Sequence, residues 1–464
     1  MSPARSMPDR LTPRERVYLG VDPNDSHKRV WSAHTDSVCA VGPPGYGRTS
    51  GVVVPTLLHW SGPVVSVATG GEALRFCGAH RARIAGPEGG VHVYDPFGAE
   101  AFGTLRWSPL SGCQDPTECH RRVRTLTTAV HGTADGGRRR TDAAQLLRPL
   151  FHAAALAGED LAQVRRWLAA QDCGLPTRIL RNSSSAREWA DDLAAVDGLG
   201  ELERGACYAA ARTCLDGVAD PRVLDVCSAT DLDVDELLAT RSTLFVVSPG
   251  GHPEETALVV ALVDTIVRRA EQIAVRQGGR LRAPLLLALD DVADSVPLPD
   301  LGGLLGGGAE RGLVTLWGAR SLAQMRTRYG SEEQAALLTA TNAKLVFGGM
   351  SNDFDLRNIS SWSGEFREMQ ITTYGGVTGS FAPRRPGSAA QAGADDDGVT
   401  AYALSPVYRP MLPVEAIQQL PPRNAWLWWH SDPPIHVETP PAESVEDYRA
   451  LSGHHPRTPR GRSA

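Results

Sequence analysis

The sequence predicts an α/β protein in which a parallel sheet carries an inserted all-helical domain. A short apolar run at residues 38–41 leads through a glycine-rich loop into an apolar helical stretch. Strand-like runs then stop near residue 107 and return after residue 237. Elsewhere strands and helices alternate along the chain, which is the order that a parallel sheet requires.

Short apolar runs bounded by turn residues mark the candidate strands, and apolar residues spaced three to four apart mark the helices. The candidate strands are residues 38–41, 63–67, 90–95, 242–247, 284–289, 313–317, 344–348 and 425–429. The candidate helices are residues 73–84, 143–157, 161–169, 187–195, 202–215, 254–276 and 412–420. The stretch without strands is therefore expected to be the inserted helical domain.

These patterns divide the chain into seven segments. They are an N-terminal segment (1–34), the first part of the core (35–106), the helical insertion (107–237), the second part of the core (238–374), a disordered linker or loop (375–400), C-terminal core elements (401–438) and a disordered tail (439–464). The linker is assigned from its Gly, Pro, Ala and Asp content and its few apolar residues.

Composition narrows the classes of function. The chain has 464 residues and a net charge of −6, so no overall basic field indicates nucleic-acid binding, although a motor that grips DNA only through pore loops needs none. Eight scattered cysteines without a C-x-x-C pair indicate reduced, buried thiols rather than a metal or disulfide framework. Without a signal peptide or a long apolar run, we expect a cytoplasmic protein with no transmembrane segment of its own.

The glycine-rich loop is a candidate phosphate-binding loop. It consists of Gly42, Pro43, Pro44, Gly45, Tyr46, Gly47, Arg48, Thr49 and Ser50. In the pattern G-x-x-x-x-G-K-[ST], backbone N–H groups face the phosphate oxygens, a lysine bridges the outer phosphates and the hydroxyl binds Mg²⁺. A chance Gly/Pro turn before a helix is the alternative, but the preceding strand and the following helix favour the phosphate loop.

Arg48 occupies the lysine position of this pattern. A guanidinium is a planar fork on a longer stem, and it does not replace a compact ammonium in a tight loop. Only Lys28 and Lys344 are lysines among the 47 Lys and Arg residues, so a general preference for arginine is the alternative explanation. We expect phosphate binding through the backbone amides to survive better than hydrolysis.

A second candidate site follows the strand at 284–289, which ends in Asp290 and Asp291. In nucleotide-hydrolysing proteins with such a loop, the first acid holds Mg²⁺ and a neighbouring Glu orients the attacking water. Asp290 fits the first role, whereas Asp291 is one methylene shorter than Glu. Aspartates that cap the end of a strand are the alternative, and the phosphate loop makes the catalytic interpretation the stronger one.

The order of motifs resembles the TraG/TraD group of type IV secretion coupling proteins over residues 35–435. After the loop, the motifs that carry the resemblance are Gly62–Ser66, Val93–Pro96, Trp107–Leu110, Pro284–Asp291, Pro297–Leu301, Arg311–Gly312, Ser321–Gln324 and Gly348–Gly349. The resemblance implies a RecA-like P-loop NTPase core with an inserted all-helical domain. It implies ATP and Mg²⁺ as cofactors, with Thr49 and Asp290 at the metal and Asp290, Asp291 and Gln324 in catalysis.

The resemblance also implies partners. They are a DNA or nucleoprotein substrate, secretion-channel or relaxosome-like proteins, further subunits in a homo- or hetero-hexamer, and recruitment to the inner face of the membrane. The departures from the family pattern lie where the chemistry would be: Arg48, Asp291, residues 70–72, and Arg320, which stands where Gln is common.

Two hypotheses follow from these departures. One is a coupling-protein-like ATPase for DNA translocation with impaired hydrolysis. The other is a catalytically inactive nucleotide-binding or scaffold module that recruits substrate or joins active motor subunits. If the site is a degraded motor with intact geometry, the double change Arg48→Lys with Asp291→Glu is expected to restore turnover.

Overall fold

The computed structural model describes residues 15–100, 103–132, 137–374 and 401–453. Its strands are β1 (Tyr18–Asp22), β2 (Asp25–Trp31), β3 (Val38–Val41), β4 (Val64–Ala68), β5 (Val91–Tyr94), β6 (Thr243–Val247), β7 (Leu285–Leu289), β8 (Leu313–Ala319), β9 (Ala343–Phe347), β10 (Glu365–Tyr374), β11 (Ala401–Pro410), β12 (Asn424–Trp429) and β13 (Ile435–Glu438).

The helices connect these strands, and several follow one another without a strand between them. They are α1 (Val54–His59), α2 (Glu72–Ala85), α3 (Pro116–His131), α4 (Gly137–Ala157), α5 (Leu161–Ala170), α6 (Gly174–Asn182), α7 (Trp189–Asp197), α8 (Glu201–Thr213), α9 (Pro221–Val226), α10 (Val234–Ala239), α11 (Pro253–Arg276), α12 (Val292–Ser295), α13 (Leu301–Gly307), α14 (Leu322–Tyr329), α15 (Ser331–Thr339), α16 (Asp353–Ser361), α17 (Val414–Gln418) and α18 (Glu446–Ser452).

Within the described residues, one sheet has eleven strands in the order β2-β1-β13-β12-β9-β3-β8-β7-β4-β6-β5. The seven strands from β9 to β5 pair in parallel, and the other four extend the sheet in antiparallel fashion. Strands β3 and β7 are buried along their whole length, as expected for parallel strands covered on both faces. This mostly parallel sheet confirms the predicted α/β fold class.

The order of the central strands positions the candidate site. Strand β8 lies between β3 and β7 and is parallel to both. The carboxyl ends of parallel strands meet at one edge of a sheet, where α/β proteins bind their ligands. The loop after β3 and the acids after β7 therefore open onto the same edge.

Helices α3 to α10 occupy residues 116–239, between β5 and β6, in the part of the chain where strand-like runs are missing. Their contacts group them with the sheet in one compact unit, residues 1–350 and 419–464. Helix α11, which follows β6, packs closely against α3. The prediction that 107–237 forms an inserted domain stays a prediction.

The two ends of the chain differ from the sequence expectation. The N-terminal segment 1–34, in which the sequence marked no strand, contributes β1 and β2 as an antiparallel pair at one edge of the sheet. The prediction of a disordered tail from residue 439 is wrong for residues 439–453, which include α18. Tyr448 is 1% exposed and Leu451 packs against the core, so this short polar helix is held by two side chains, too few for periodicity to reveal. Residues 454–464 lie outside the described residues.

Residues 351–418 form a second compact unit. It contains α16, α17 and a ribbon in which β10 and β11 pair residue by residue, from Glu365 with Pro410 to Tyr374 with Ala401. The sequence had assigned 351–374 to the core and 401–418 to the C-terminal core elements, so those boundaries differ from the structure. The predicted linker, 375–400, lies outside the described residues.

Across the described ranges, no helix combines the length and the apolar character needed to span a membrane.

Candidate functional site

The predicted loop has the strand–loop–helix geometry of a phosphate-binding loop. It leaves β3 at Val41 and enters a single π-helical turn, Thr49–Val53, that continues as α1. Gly45 and Gly47 have φ angles of +82° and +108°, which side chains rarely allow, so glycine is required at both positions. The Gly47 carbonyl accepts a hydrogen bond of 2.8 Å from the Gly51 N–H, which places the turn at the start of the helix.

The C-terminal part of the chain packs against this loop. The Arg423 N–H donates to the Tyr46 carbonyl at 2.8 Å, and a Cβ on Gly51 would lie 2.5 Å from the Thr439 carbonyl oxygen. The Tyr46 ring lies against Gly349, where a Cβ would come within 2.2 Å of the ring. The loop is therefore braced by residues that lie about 300 positions or more away in the sequence.

The structure brings Thr49 and Asp290 together, as the sequence predicts. The Thr49 hydroxyl donates a hydrogen bond to Asp290 Oδ2, joining residues 241 positions apart. The Asp290 N–H donates to the Val67 carbonyl at 2.9 Å, so β4 holds the acid at the strand end. Asp290 Oδ1 is buried and has no hydrogen-bond partner among the described residues.

Arg48 is turned into the protein beneath the loop. Its side chain is 8% exposed, and its Nη1 atom has no hydrogen-bond partner within the described part of the chain. Both Arg48 Nη1 and Asp290 Oδ1 lie over Gly318 of β8, at 3.6 and 2.9 Å from the point where a Cβ would stand. Glycine at position 318 leaves the room that these two side chains occupy.

Asp291 is paired with the arginine that replaces the usual Gln. Arg320 Nε lies 2.5 Å from Asp291 Oδ2, and Arg320 Nη1 lies 3.3 Å from Asp294 Oδ2. Burial raises the pKa of the Asp291 carboxyl, and the charges of Arg320 and Arg48 act in the opposite direction. Asp291 also has a left-handed backbone with φ of +57°, which directs the chain from β7 into α12.

Gln324 lies next to this pair rather than against the acids themselves. Its side-chain oxygen accepts a hydrogen bond of 3.3 Å from the Arg320 N–H. Its own N–H donates to the Ser321 hydroxyl, which caps the start of α14. The roles predicted for Asp290, Asp291, Gln324 and the loop residues stay predictions, although the fold gathers all of them at one edge of the sheet.

Sequence reasoning missed two features of this site. It noted Arg320 and Asp291 as separate departures from the family pattern and did not pair them, although an added positive charge and a shortened acid in one predicted site are a signal for contact. It gave no role to Gly318, whose importance depends on which side chains converge above it. Among the described residues, no group of three or more His, Cys, Asp and Glu side chains is placed to hold a metal ion.

Comparisons with known proteins give matches to two parts of the chain. Residues 284–422 match a family model described as the TraM recognition site of TraD and TraG, and residues 9–162 match one described as type IV secretory system conjugative DNA transfer. No curated protein sequence matches the chain at a significant level.

Solved structures of coupling proteins share the fold. The plasmid coupling protein TrwB with the non-hydrolysable ATP analogue ADPNP has a TM-score of 0.61 at 15% identity, over 88% of this chain and 86% of that one. TrwB with ADP and Mg²⁺ has a TM-score of 0.60 at 16% identity, with the same coverage. Unbound TrwBΔN70 has a TM-score of 0.59 at 16% identity, over 88% and 85%.

At these identities the structural likeness establishes the fold, that of the coupling protein TrwB, and the two sequence matches establish the relationship. With both matches on a chain of this fold, the protein belongs to the TraG/TraD group of type IV secretion coupling proteins.

Proposed function

We propose that this chain is a nucleotide-binding coupling-protein subunit for conjugative DNA transfer that hydrolyses ATP slowly or not at all. The observation that carries the proposal is the contact between Arg320 and Asp291, with Arg320 Nε 2.5 Å from the carboxylate. The acid that would orient the attacking water is held by a guanidinium instead.

The loop fits the phosphates of a nucleotide. Residues 42–50 would hold them through backbone N–H groups at the start of a helix, where anions bind favourably. The Arg48 Nη1 lacks a partner in the described residues but is buried, so its guanidinium would contact a phosphate oxygen only after turning outward. Bound ATP would supply the phosphoryl bond whose hydrolysis drives motors of this class.

Two positions are expected to lower the rate of ATP hydrolysis. Arg48 stands where a lysine ammonium would stabilise the developing charge, and Asp291 is short by one methylene and is already paired. A misplacement of about 1 Å in a catalytic group can cost roughly a hundredfold in rate. Because the two groups serve one transition state, their losses act together.

The partners are proposed from the matched families. The match to a TraM recognition site supports binding to a relaxosome protein through residues within 284–422, and the conjugative DNA transfer match supports a DNA or nucleoprotein substrate. We further propose that the chain joins a homo- or hetero-hexamer at the cytoplasmic face of the membrane, beside the secretion channel.

Steady-state ATP turnover by the purified protein, with and without DNA, tests the proposal. Turnover below about 0.01 s⁻¹ in both conditions is expected, against the 1 s⁻¹ or more of ordinary enzymes. Turnover near 1 s⁻¹ would show that Arg48 and Asp291 are working replacements, and the impaired-motor proposal would fail.

The same contact favours a second candidate, an inactive scaffold that recruits substrate or partners active motor subunits. A nucleotide titration separates the two. Saturable binding supports the nucleotide-binding subunit, whereas no binding of ATP or ADP at millimolar concentration supports the scaffold.

A further inference from the structure

Arg423 has an unusual backbone conformation at the edge of the sheet that carries the candidate site. It directly precedes β12, and the first pair between β12 and β9 joins Ala425 to Phe347 at the carboxyl end of β9. Because β9 is parallel to β3, this is the edge where the phosphate loop leaves β3. The φ angle of Arg423 is +70°, which an arginine seldom adopts and a glycine adopts readily. Strained positions of this kind concentrate at ligand-binding sites.

Backbone hydrogen bonds fix Arg423 against the phosphate loop. Its N–H donates to the Tyr46 carbonyl at 2.8 Å, and its carbonyl accepts a hydrogen bond of 2.8 Å from the Thr439 N–H. The Arg423 Cα and Cγ atoms lie 3.5 and 3.4 Å from the point where a Cβ on Gly47 would stand. The side chain therefore starts in contact range of the loop, and the guanidinium lies further along it.

The Arg423 guanidinium carries a positive charge that no other described group uses. The residue is exposed, and its side chain forms no hydrogen bond or ion pair within the described ranges. The two other arginines at this site are placed differently. Arg48 is 8% exposed and lies over Gly318, and Arg320 is paired with the carboxylates that follow β7.

Phosphate groups are the ligand that this arrangement fits. In the family pattern the loop supplies backbone N–H groups and one cation, which stands at position 48. Arg48 would have to turn outward to reach a phosphate, whereas Arg423 is already exposed beside the loop. A guanidinium donates two parallel hydrogen bonds to phosphate oxygens, which is the geometry that favours arginine at phosphate sites.

We infer that Arg423 binds the phosphates of the nucleotide and supplies the positive charge that position 48 provides in the family pattern. The inference rests on the proposed nucleotide binding. It adds to that proposal a phosphate-contacting residue that lies outside the loop, in the C-terminal part of the chain.

Isothermal titration of the full chain with ADP in excess MgCl₂ is the test. Arg423→Gln removes the charge and should weaken ADP binding at least about tenfold, as expected for a lost charge-assisted hydrogen bond. Arg423→Lys keeps the charge and should weaken it less. A loss below about threefold for Arg423→Gln, or equal losses for both variants, overturns the inference and leaves the proposed nucleotide binding intact. Absence of ADP binding to the natural protein overturns both.

Arg423→Gly separates contact with the ligand from support of the loop. Glycine keeps both backbone hydrogen bonds and adopts a positive φ without strain, so the thermal unfolding midpoint should fall by no more than about 2 °C. ADP affinity should nevertheless fall as far as in Arg423→Gln. If Arg423→Gly binds ADP as tightly as the natural protein, the side chain does not contact the ligand.

Displacement of ADP by inorganic pyrophosphate shows which part of the nucleotide Arg423 contacts. Arg423→Gln should weaken pyrophosphate binding by about the same factor as ADP binding, because both ligands present phosphates. An unchanged affinity for pyrophosphate beside a weakened affinity for ADP would assign the contact to the nucleoside and overturn the inference.

The matched control is Arg241→Gln. Arg241 is also exposed, and its side chain also has no partner in the described part of the chain. It precedes β6 at the amino end of that parallel strand, on the opposite edge of the sheet from the phosphate loop. Both affinities should stay unchanged in this variant, and a loss equal to that of Arg423→Gln would show a general effect of charge and contradict the inference.

Discussion

At the scale of single residues, two departures from the family pattern explain each other. Asp291 is one methylene shorter than the expected Glu, and Arg320 is longer than the expected Gln. Their side chains meet at 2.5 Å, so the longer cation fills the space that the shorter acid leaves. Two changes that compensate each other in length are better explained as one coupled change than as independent losses.

This coupling alters the expected outcome of restoring the motif. From the sequence, Arg48→Lys with Asp291→Glu is expected to restore turnover. With Arg320 in place, a glutamate at 291 remains within reach of the guanidinium, so we expect the double variant to stay nearly inactive. Adding Arg320→Gln should raise ATP turnover at least about tenfold above the double variant.

Steady-state phosphate release with saturating ATP and Mg²⁺ measures this difference. The single variant Arg320→Gln serves as a control, because it frees Asp291 without correcting its length or the loop. Equal rates for the double and triple variants would show that Arg320 does not block the acid.

At the scale of elements, β1, β2 and α18 meet at α1, the helix that follows the phosphate loop. Helix α18 packs through Tyr448 against Tyr18 of β1 and His59 of α1, with ring centroids 6.2 and 5.4 Å apart. Arg29 of β2 lies over the Tyr448 ring at 5.1 Å. The helix that begins in the phosphate loop thus ends in an aromatic cluster that docks the C-terminal helix, which links the stability of these elements.

His59 makes that docking sensitive to acid. Burial, together with the nearby positive charge of Arg29, lowers the pKa of His59 to about 4 from its usual 6.5. Since the folded pKa is the lower one, the full contribution to stability is present above pH 6.5. It is lost as the pH falls towards 4, because the unfolded chain takes up a proton that the folded chain does not.

Between pH 7 and pH 5 this effect should cost the natural protein about 2 kcal/mol of unfolding free energy that His59→Phe does not lose. Urea unfolding of both proteins at pH 7 and pH 5 gives the loss of unfolding free energy for each, and the two losses are compared. The variant keeps the pH dependence of all the other titrating groups, so the difference between the two proteins reports His59 alone. If both proteins lose the same unfolding free energy between pH 7 and pH 5, the His59 ring is not held neutral by its surroundings.

At the scale of the whole molecule, the helical segment and the sheet are joined by many contacts. Helix α3 carries Thr125, whose hydroxyl donates to Asp264 of α11 at 3.0 Å, and Arg328 of α14 donates to the Ala129 carbonyl at 2.6 Å. Near the start of the segment, Trp107 N–H donates to the Val226 carbonyl at 3.0 Å. Helix α3 therefore belongs to the packing of both regions.

We accordingly expect the helices at 116–239 and the central strands to unfold together. Native-state hydrogen exchange in increasing denaturant should give amides in α3, α4 and α8 opening free energies within about 1 kcal/mol of those in β4 and β7. The ribbon β10–β11, in the second unit, is the internal comparison. Helical amides that open at more than about 2 kcal/mol below the strands would instead indicate an independently folding insertion.

The sequence by itself determined the class of fold and the position of the site in the chain. The apolar runs of β3, β7 and β8 are local patterns, and the phosphate loop and Asp290 are recognised from the residues that immediately surround them. The rule that carboxyl ends of parallel strands share one edge then predicts that Thr49 and Asp290 meet. Each of these inferences needs only short-range information or a general rule of topology.

Only the tertiary structure decided what lies against what. Strand β2 is an exposed, polar edge strand that packs few of its side chains, and β1 is a five-residue run that is buried between β2 and β13, so neither gives a clear alternation. Helix α18 packs through Tyr448 and Leu451, which is too few apolar positions for a periodic pattern. Arg320 can pair with Asp291 only because β8 lies between β3 and β7. The same strand order places the Arg48 side chain over Gly318. Strand order is set by contacts between residues far apart in the chain, so local sequence patterns cannot predict it.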